Sequence, residues 1–408
     1  MKKFICAAIT GVMLLCSASV TAFATEQDAD ALLKSTADYA VDQFFTQTPP
    51  TYGDEWYVIA LARSGLDGAD TFCETYYANA SQDFADKGGV YTDETNTEAF
   101  AEYVRVGLAL AAMHKDAADF GDYNLLDKFT AADADDYAAA STATLAYALL
   151  LTDYYAPELS DADAIETALK TEIMTRYVSG TGFTDLPGDD AVSTLATVQV
   201  IQGLTPLVAS EDSPEFDAII AAFAYLKAQQ DPGSGAIFSS DALNPSTTAQ
   251  AIIAVTELGA EVFDAYTNEN GTTLLDGLLG FLLEGGGFYD PESGAEAGAD
   301  YFVTRDALLA LTAYVRMENG DTELFNFADS YTDDTDSTGD TESTGDSTSE
   351  SESENQTDST TDSDDTSADK TVEKNDTVPT GSSATKALIL SACALVALAA
   401  CLMLRKKK

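Results

Sequence analysis

Basic side chains are scarce: 20 Lys and Arg stand against 69 Asp and Glu, a formal net charge of −49. A nucleic-acid backbone requires clustered Lys and Arg, so nucleic acid is excluded as a partner. A diphosphate substrate is disfavoured for the same reason unless a divalent cation bridges it. Histidine is nearly absent, with His114 alone, and of the five cysteines only Cys73 lies outside the two terminal apolar segments. No internal disulfide can form in the domain between those segments, and an ordinary zinc site lacks its nitrogen and sulfur ligands. His114 follows an apolar helix face and reads as a helix-end residue. No cofactor is expected.

The termini are apolar. Lys2 and Lys3 precede an apolar run over residues 4–15, and the small-residue stretch after it ends in Ala22-Phe23-Ala24, the pattern that signal peptidase accepts. Residues 1–24 are therefore expected to be a signal peptide, with Thr25 as the mature N-terminus. Leu15 rather than a small residue precedes Cys16, which speaks against lipidation. At the other end, residues 387–404 are uninterruptedly apolar and are closed by Arg405, Lys406, Lys407 and Lys408. At ~1.5 Å per residue this stretch spans ~27 Å, close to a bilayer core. Residues 386–404 are thus expected to cross a membrane, with the basic tail 405–408 on the cytoplasmic side.

Between domain and span, residues 332–385 are dominated by Asp, Ser, Thr, Glu and Gly. Such a segment cannot bury enough apolar surface to offset chain entropy and is expected to be a disordered, self-repelling stalk. Val378-Pro379-Thr380-Gly381, with the apolar stretch and basic tail, resembles the three-part sorting signal of Gram-positive surface proteins. That signal normally places one residue between proline and threonine, and here Pro379 and Thr380 touch. Sortase processing at Pro379-Thr380-Gly381 and a retained transmembrane helix both stay open. The expected location is the cell membrane or wall, with residues 28–331 displayed outside.

That domain of about three hundred residues is large enough for one substantial core. Six segments within it are apolar on nearly every side: 56–63, 98–113, 141–151, 193–204, 247–258 and 304–317. Each follows a pattern that is apolar on one face only, over 29–45, 69–80, 124–130, 163–177, 214–229 and 272–283. Helices apolar all round must be buried, and one-sided helices face water. The alternation predicts an all-α domain of about six helical hairpins, with the buried helices as an inner ring and the amphipathic ones outside. Gly88-Gly89-Val90-Tyr91, Gly180-Thr181-Gly182-Phe183, Gly233-Ser234-Gly235-Ala236-Ile237-Phe238 and Gly285-Gly286-Gly287-Phe288-Tyr289 place glycines before an aromatic. The ring is expected to plug the gap between neighbouring hairpins.

Residues 56–65 (Trp-Tyr-Val-Ile-Ala-Leu-Ala-Arg-Ser-Gly), Gln229-Gln230-Asp231-Pro232-Gly233 with Asn244-Pro245-Ser246-Thr247-Thr248-Ala249-Gln250-Ala251, and Gly285-Gly286-Gly287-Phe288 resemble the prenyltransferase and squalene-cyclase repeats of Gram-positive surface proteins. The resemblance implies a single α/α toroid, the fold of triterpene cyclases, protein prenyltransferase β-subunits and cobalamin carriers. It says little of activity. The prenyltransferases hold zinc with Asp, Cys and His and grip a diphosphate with basic residues, neither of which this chain can supply. The cobalamin carriers complete their site with a second, β-rich domain that this chain lacks.

Triterpene cyclases use a D-x-D-D acid to protonate an alkene. Asp133-Ala134-Asp135-Asp136 matches the letters but lies in an alanine-rich stretch without the Thr-Ala that continues the motif. Asp189 and Asp190, ahead of Ser193 and Thr194, read as helix-capping residues. The remaining candidates stand at inner-helix N-termini, which a toroid gathers at one mouth: Asp54, Glu55, Trp56, Asn96, Thr97, Glu98, Asn244, Gln250, Asp300, Tyr301 and Arg305. Together with Asp189 and Asp190 they form the expected ligand-binding rim, with Trp56 as a stacking contact. The reading is a non-catalytic surface domain that binds a ligand, glycan or protein partner at the barrel mouth. A cyclase-like enzyme acting on an apolar isoprenoid-type substrate and a structural or adhesive display protein are the alternatives.

Overall fold

The computed structural model describes residues 5–10, 29–92 and 99–330. The stalk, the apolar C-terminal stretch and the sorting-like motif lie outside the described residues. So do Asn96, Thr97 and Glu98. Among the described residues no helix is long and apolar enough to cross a membrane.

The helices are α1 (Ala29–Ala40, continued by a π turn over Val41–Phe45), α2 (Glu55–Ala62), α3 (Ala69–Asp86), α4 (Phe100–Ala112), α5 (Leu125–Thr130), α6 (Ala134–Ala139) and α7 (Thr142–Tyr154). They continue as α8 (Ala162–Thr175), α9 (Thr194–Leu204), α10 (Pro214–Ala228), α11 (Pro245–Thr256), α12 (Ala260–Ala265), α13 (Leu274–Leu279) and α14 (Tyr301–Asn319). Two-residue ladders, Tyr177–Val178 with Gly182–Phe183 and Phe238–Ser239 with Ala242–Leu243, interrupt the helical pattern at two of the glycine turns.

Burial sorts the helices as the periodicity predicts. In α11 Pro245 and every residue from Thr247 to Thr256 are buried, whereas α8 buries only Ile165, Leu169 and Ile173, a single stripe at four-residue spacing. The buried helices pack in sequence, α2 on α4, α4 on α7, α7 on α9, α9 on α11 and α11 on α14, and α14 returns to α2 to close the ring. Around it, α3 lies on α2, α5 on α4, α8 on α7, α10 on α9 and α13 on α11. Each of the first five inner helices therefore pairs with the outer helix that follows it. The sequence pattern predicts pairing with the one before. The odd outer helix, α1, packs on α14 and joins the two ends of the domain.

The glycine turns are built alike. Tyr91, Phe183, Ile237 and Phe288 are fully buried. The backbone N–H of each donates to a hydroxyl on the fourth residue of the next inner helix: Tyr103 (3.2 Å), Thr197 (2.9 Å), Thr248 (2.9 Å) and Thr304 (3.0 Å). The carbonyl of each accepts from the N–H just before that helix, at Ala99, Ser193, Asn244 and Asp300. In the third turn the plug is Ile237, and the aromatic Phe238 is only half-buried.

Residues 5–10, inside the expected leader, are helical. Ile5, Ala8 and Ile9 are buried, and the Cys6 thiol donates to the Leu258 carbonyl at 3.2 Å.

Candidate functional site

At the N-terminal mouth, the polar rim residues bond within the chain. Asp54 accepts from the Thr51 N–H at 2.8 Å and from the Tyr301 phenol, which ties the first inner helix to the last. Burial and that carboxylate raise the Tyr301 phenol above its ordinary range. Asp300 and Asn244 are the N-caps of α14 and α11. Arg305 pairs with Asp306 at 2.8 Å and lies over the Phe302 ring. Asp189 caps a turn by accepting from the Leu186 N–H, Asp190 is exposed, and Ser193 rather than either aspartate caps α9.

Trp56 and Gln250 point into the barrel axis. The Trp56 ring lies 4.7 Å from Tyr147, whose hydroxyl is within 3.3 Å of both Gln202 and Gln250. Gln202 donates through Nε2 to the carbonyl and to the side-chain oxygen of Gln250, both at 2.9 Å. Gln202 is fully buried and Gln250 nearly so; the Gln202 amide donates to Gln250 while its oxygen accepts from the Tyr147 hydroxyl, so the buried polar atoms find partners within the axis.

Glu55, beside these residues, turns outward. It is fully buried between α2, α3 and α4, accepts from the Gly53 N–H (2.8 Å) and the Tyr76 hydroxyl (2.9 Å), and stands 2.6 Å from Arg105. The Arg105 N–H is not aligned on Glu55 Oε2, so that contact is an ion pair rather than a directed hydrogen bond. Burial raises the Glu55 carboxyl above its usual range, and Arg105 opposes the shift.

The D-x-D-D letters are a solvated helix start. Asp133 accepts from the N–H groups of Asp135 and Asp136, and Asp136 returns a bond to the Asp133 N–H, a reciprocal cap on α6. All three are exposed. Burial pushes the Cys73 thiol up to about 12. His114 is exposed and sits just past the end of α4.

A cleft of about 610 Å³ opens at the opposite mouth, where the inner helices end. One wall carries Asp153, Tyr154 and Glu158 from the end of α7, with Glu257 at the end of α11. The other is residues 323–328, with Glu323, Phe325 and Phe327. Arg63 and Arg316 fix this second wall, and the Phe325 ring reaches up the axis to Tyr147 at 5.8 Å. Asp153 and Glu158 are reached by solvent yet crowded by protein, which raises both carboxyls; Glu166 adds to the rise at Asp153 and Asp116 at Glu158. Sequence reasoning missed this cleft because its residues come from helix C-termini and a connecting segment. The signal was present in Leu324-Phe325-Asn326-Phe327, an aromatic pair just ahead of the polar linker.

The closed inner ring with its outer shell settles the architecture. This chain is an α/α toroid. Among solved structures it is similar to a polysaccharide lyase (TM-score 0.54, 10% identity, 72% of this chain and 98% of the other). It is likewise similar to the type II terpene cyclase MstE from Scytonema (0.50, 11%, 71% and 99%). A third is a possible member of the GH105 family from Salmonella enterica serovar Paratyphi A (0.51, 13%, 73% and 96%). At these identities the likeness carries the toroid fold alone. No family model and no curated protein matches the sequence.

Proposed function

We propose that this toroid is a non-catalytic binding domain for a hydroxyl-rich ligand, a glycan, taken into the cleft at the C-terminal mouth. The lining of that cleft carries the reading: the half-buried Tyr154 stands beside the accessible carboxylates of Asp153, Glu158 and Glu323, over a floor of the buried Phe325, Phe327 and Glu257. Aromatic faces suit the C–H faces of sugar rings, and carboxylates accept from sugar hydroxyls. The cyclase alternative lacks support from the residues that would serve it: the D-x-D-D letters are a solvated cap, and Trp56, Tyr147 and Phe325 occupy the axis. The leader, stalk and apolar C-terminal stretch support display of the domain on a cell surface, held by a transmembrane helix or by sortase processing at Pro379-Thr380-Gly381.

Calorimetric titration of the full chain with chitotetraose and with soluble peptidoglycan fragments tests the binding claim. Saturable binding of either probe is expected, and no heat from both would refute it. For display, a chain truncated after Asp376 is expected in the medium; retention in the envelope would mean a different attachment.

A further inference from the structure

The wall formed by residues 322–327 is held differently from the rest of the toroid. Two guanidinium groups carry it. Arg63 donates to the carbonyls of Glu323 (3.1 Å), Leu324 (3.2 Å) and Asn326 (2.8 Å) and to the Thr322 hydroxyl (2.9 Å). Arg316 donates to the Thr322 carbonyl and hydroxyl, both at 2.9 Å, and reaches the Arg63 carbonyl at 3.0 Å. Phe325 enters the axis, while Phe327 packs on Tyr154 at 5.5 Å and beneath Arg63 at 5.6 Å. Among the described backbone bonds, the one donated from within the segment is local, from the Asn326 N–H to the Glu323 carbonyl. Among the described contacts, the segment is thus fastened by side chains rather than by backbone bonds to the barrel.

Nor does the ring need it. Packing of α14 on α1 and on α2 closes the toroid before residue 320. A segment held by side-chain donors and its own buried side chains, rather than by a backbone ladder, can come away as a cooperative unit without global unfolding. This one supplies Glu323, Phe325 and Phe327 to the cleft, and through it the chain passes from the barrel to residues 331–408.

We propose that residues 322–327 are a latch, which opens as a unit while the ring stays closed and which a bound glycan holds shut by bridging it to the wall formed by Asp153, Tyr154 and Glu158. The coupling rests on the cleft being the ligand site. Binding and seating then share one free energy, so each must strengthen the other by the same factor. A pull on residues 331–408 reaches the latch before any helix of the barrel, so it opposes binding.

Hydrogen exchange on the full chain, in low urea and with the helical circular-dichroism signal unchanged, tests this. Without ligand, residues 322–327 are expected to exchange at least about tenfold faster than residues 308–315. Saturating chitotetraose or peptidoglycan fragment, whichever binds, is expected to slow the latch and leave 308–315 unchanged. Phe325→Ala should weaken that binding about tenfold and speed latch exchange. Glu323→Gln, at an accessible position, should weaken binding in the same direction if the alanine variant fails to fold. Exchange of 322–327 only together with 308–315 overturns the latch while leaving the binding reading intact. Binding that leaves latch exchange unchanged overturns the coupling alone. Absence of binding by calorimetry overturns the proposed function, and the coupling with it.

Discussion

The ring of Phe325 stands 6.4 Å from that of Trp56, almost perpendicular to it at 82°. With Tyr147 these rings fill the barrel axis, so the only tryptophan of the chain reports on a segment that enters from the far mouth. Phe325→Ala is expected to shift Trp56 emission and to lower global stability by about 1–2 kcal/mol, less than the ~3–5 kcal/mol of a core Phe→Ala. The smaller cost follows because the loss cannot exceed the free energy that seats the segment. Chemical denaturation followed by tryptophan fluorescence checks both effects, and a full core-sized loss would mean that the segment is integral to the barrel.

Gly203 marks a close approach of two inner helices, α9 and α7. A Cβ there would lie 2.2 Å from the Ala146 carbonyl oxygen, and helix backbone on both sides cannot withdraw as a flexible side chain can. Gly203→Ala is expected to cost about 3 kcal/mol or more. A urea midpoint within error of the parent would show that α7 and α9 are looser than their packing indicates.

Much of the architecture was legible because the two rings differ in periodicity. Segment 247–258 is apolar all round and segment 163–177 apolar on one stripe, and α11 and α8 bury as those patterns require. The pairing of helices was not legible. A preceding and a following outer helix present the same stripe, and only the return of α1 onto α14 decides between them. The site was harder still. Residues at inner-helix starts such as Asn244 and Asp300 look available in sequence, yet their side chains cap the helices they begin. Arg63 reads as a charge ending an apolar run, but it is buried and holds the wall of a cleft. Composition cannot distinguish a solvated arginine from one wrapped by carbonyls.

Glu55→Gln removes the charge facing Arg105 inside the α2, α3 and α4 wedge. Arg105 keeps Glu102 at 2.5 Å, but its Glu55 partner is then neutral. Burial already favours the neutral Glu55 carboxyl and Glu102 still balances Arg105, so the cost is expected to stay within about 1 kcal/mol. Thermal unfolding measures the change, and a loss of about 3 kcal/mol or more would show that the ion pair outweighs burial at Glu55.

Stability should rise as the pH falls from neutral to about 5. Glu55, Asp153 and Glu158 have carboxyls raised in the folded state, so folding takes up protons in the interval above their unfolded values near about 4. Their contribution is complete below the unfolded values and is lost as the pH climbs through the raised ones. The net charge of −49 acts in the same direction, since partial protonation relieves self-repulsion. Asp231, lowered by hydrogen bonds from Ser234, opposes this only below about pH 4. Urea midpoints at about pH 5 and pH 7.5 decide the sign, and a lower midpoint at the acid pH would contradict it.

Entry of ligand at the C-terminal mouth is tested most directly by one set of calorimetric titrations with chitotetraose and soluble peptidoglycan fragments. Tyr154→Ala and Glu158→Gln change the cleft, while Arg305→Ala changes the opposite rim. Both cleft variants are expected to weaken binding about tenfold or more, and Arg305→Ala is expected to stay within about twofold of the parent. Binding lost in Arg305→Ala and kept in both cleft variants would contradict this and return the site to the N-terminal mouth.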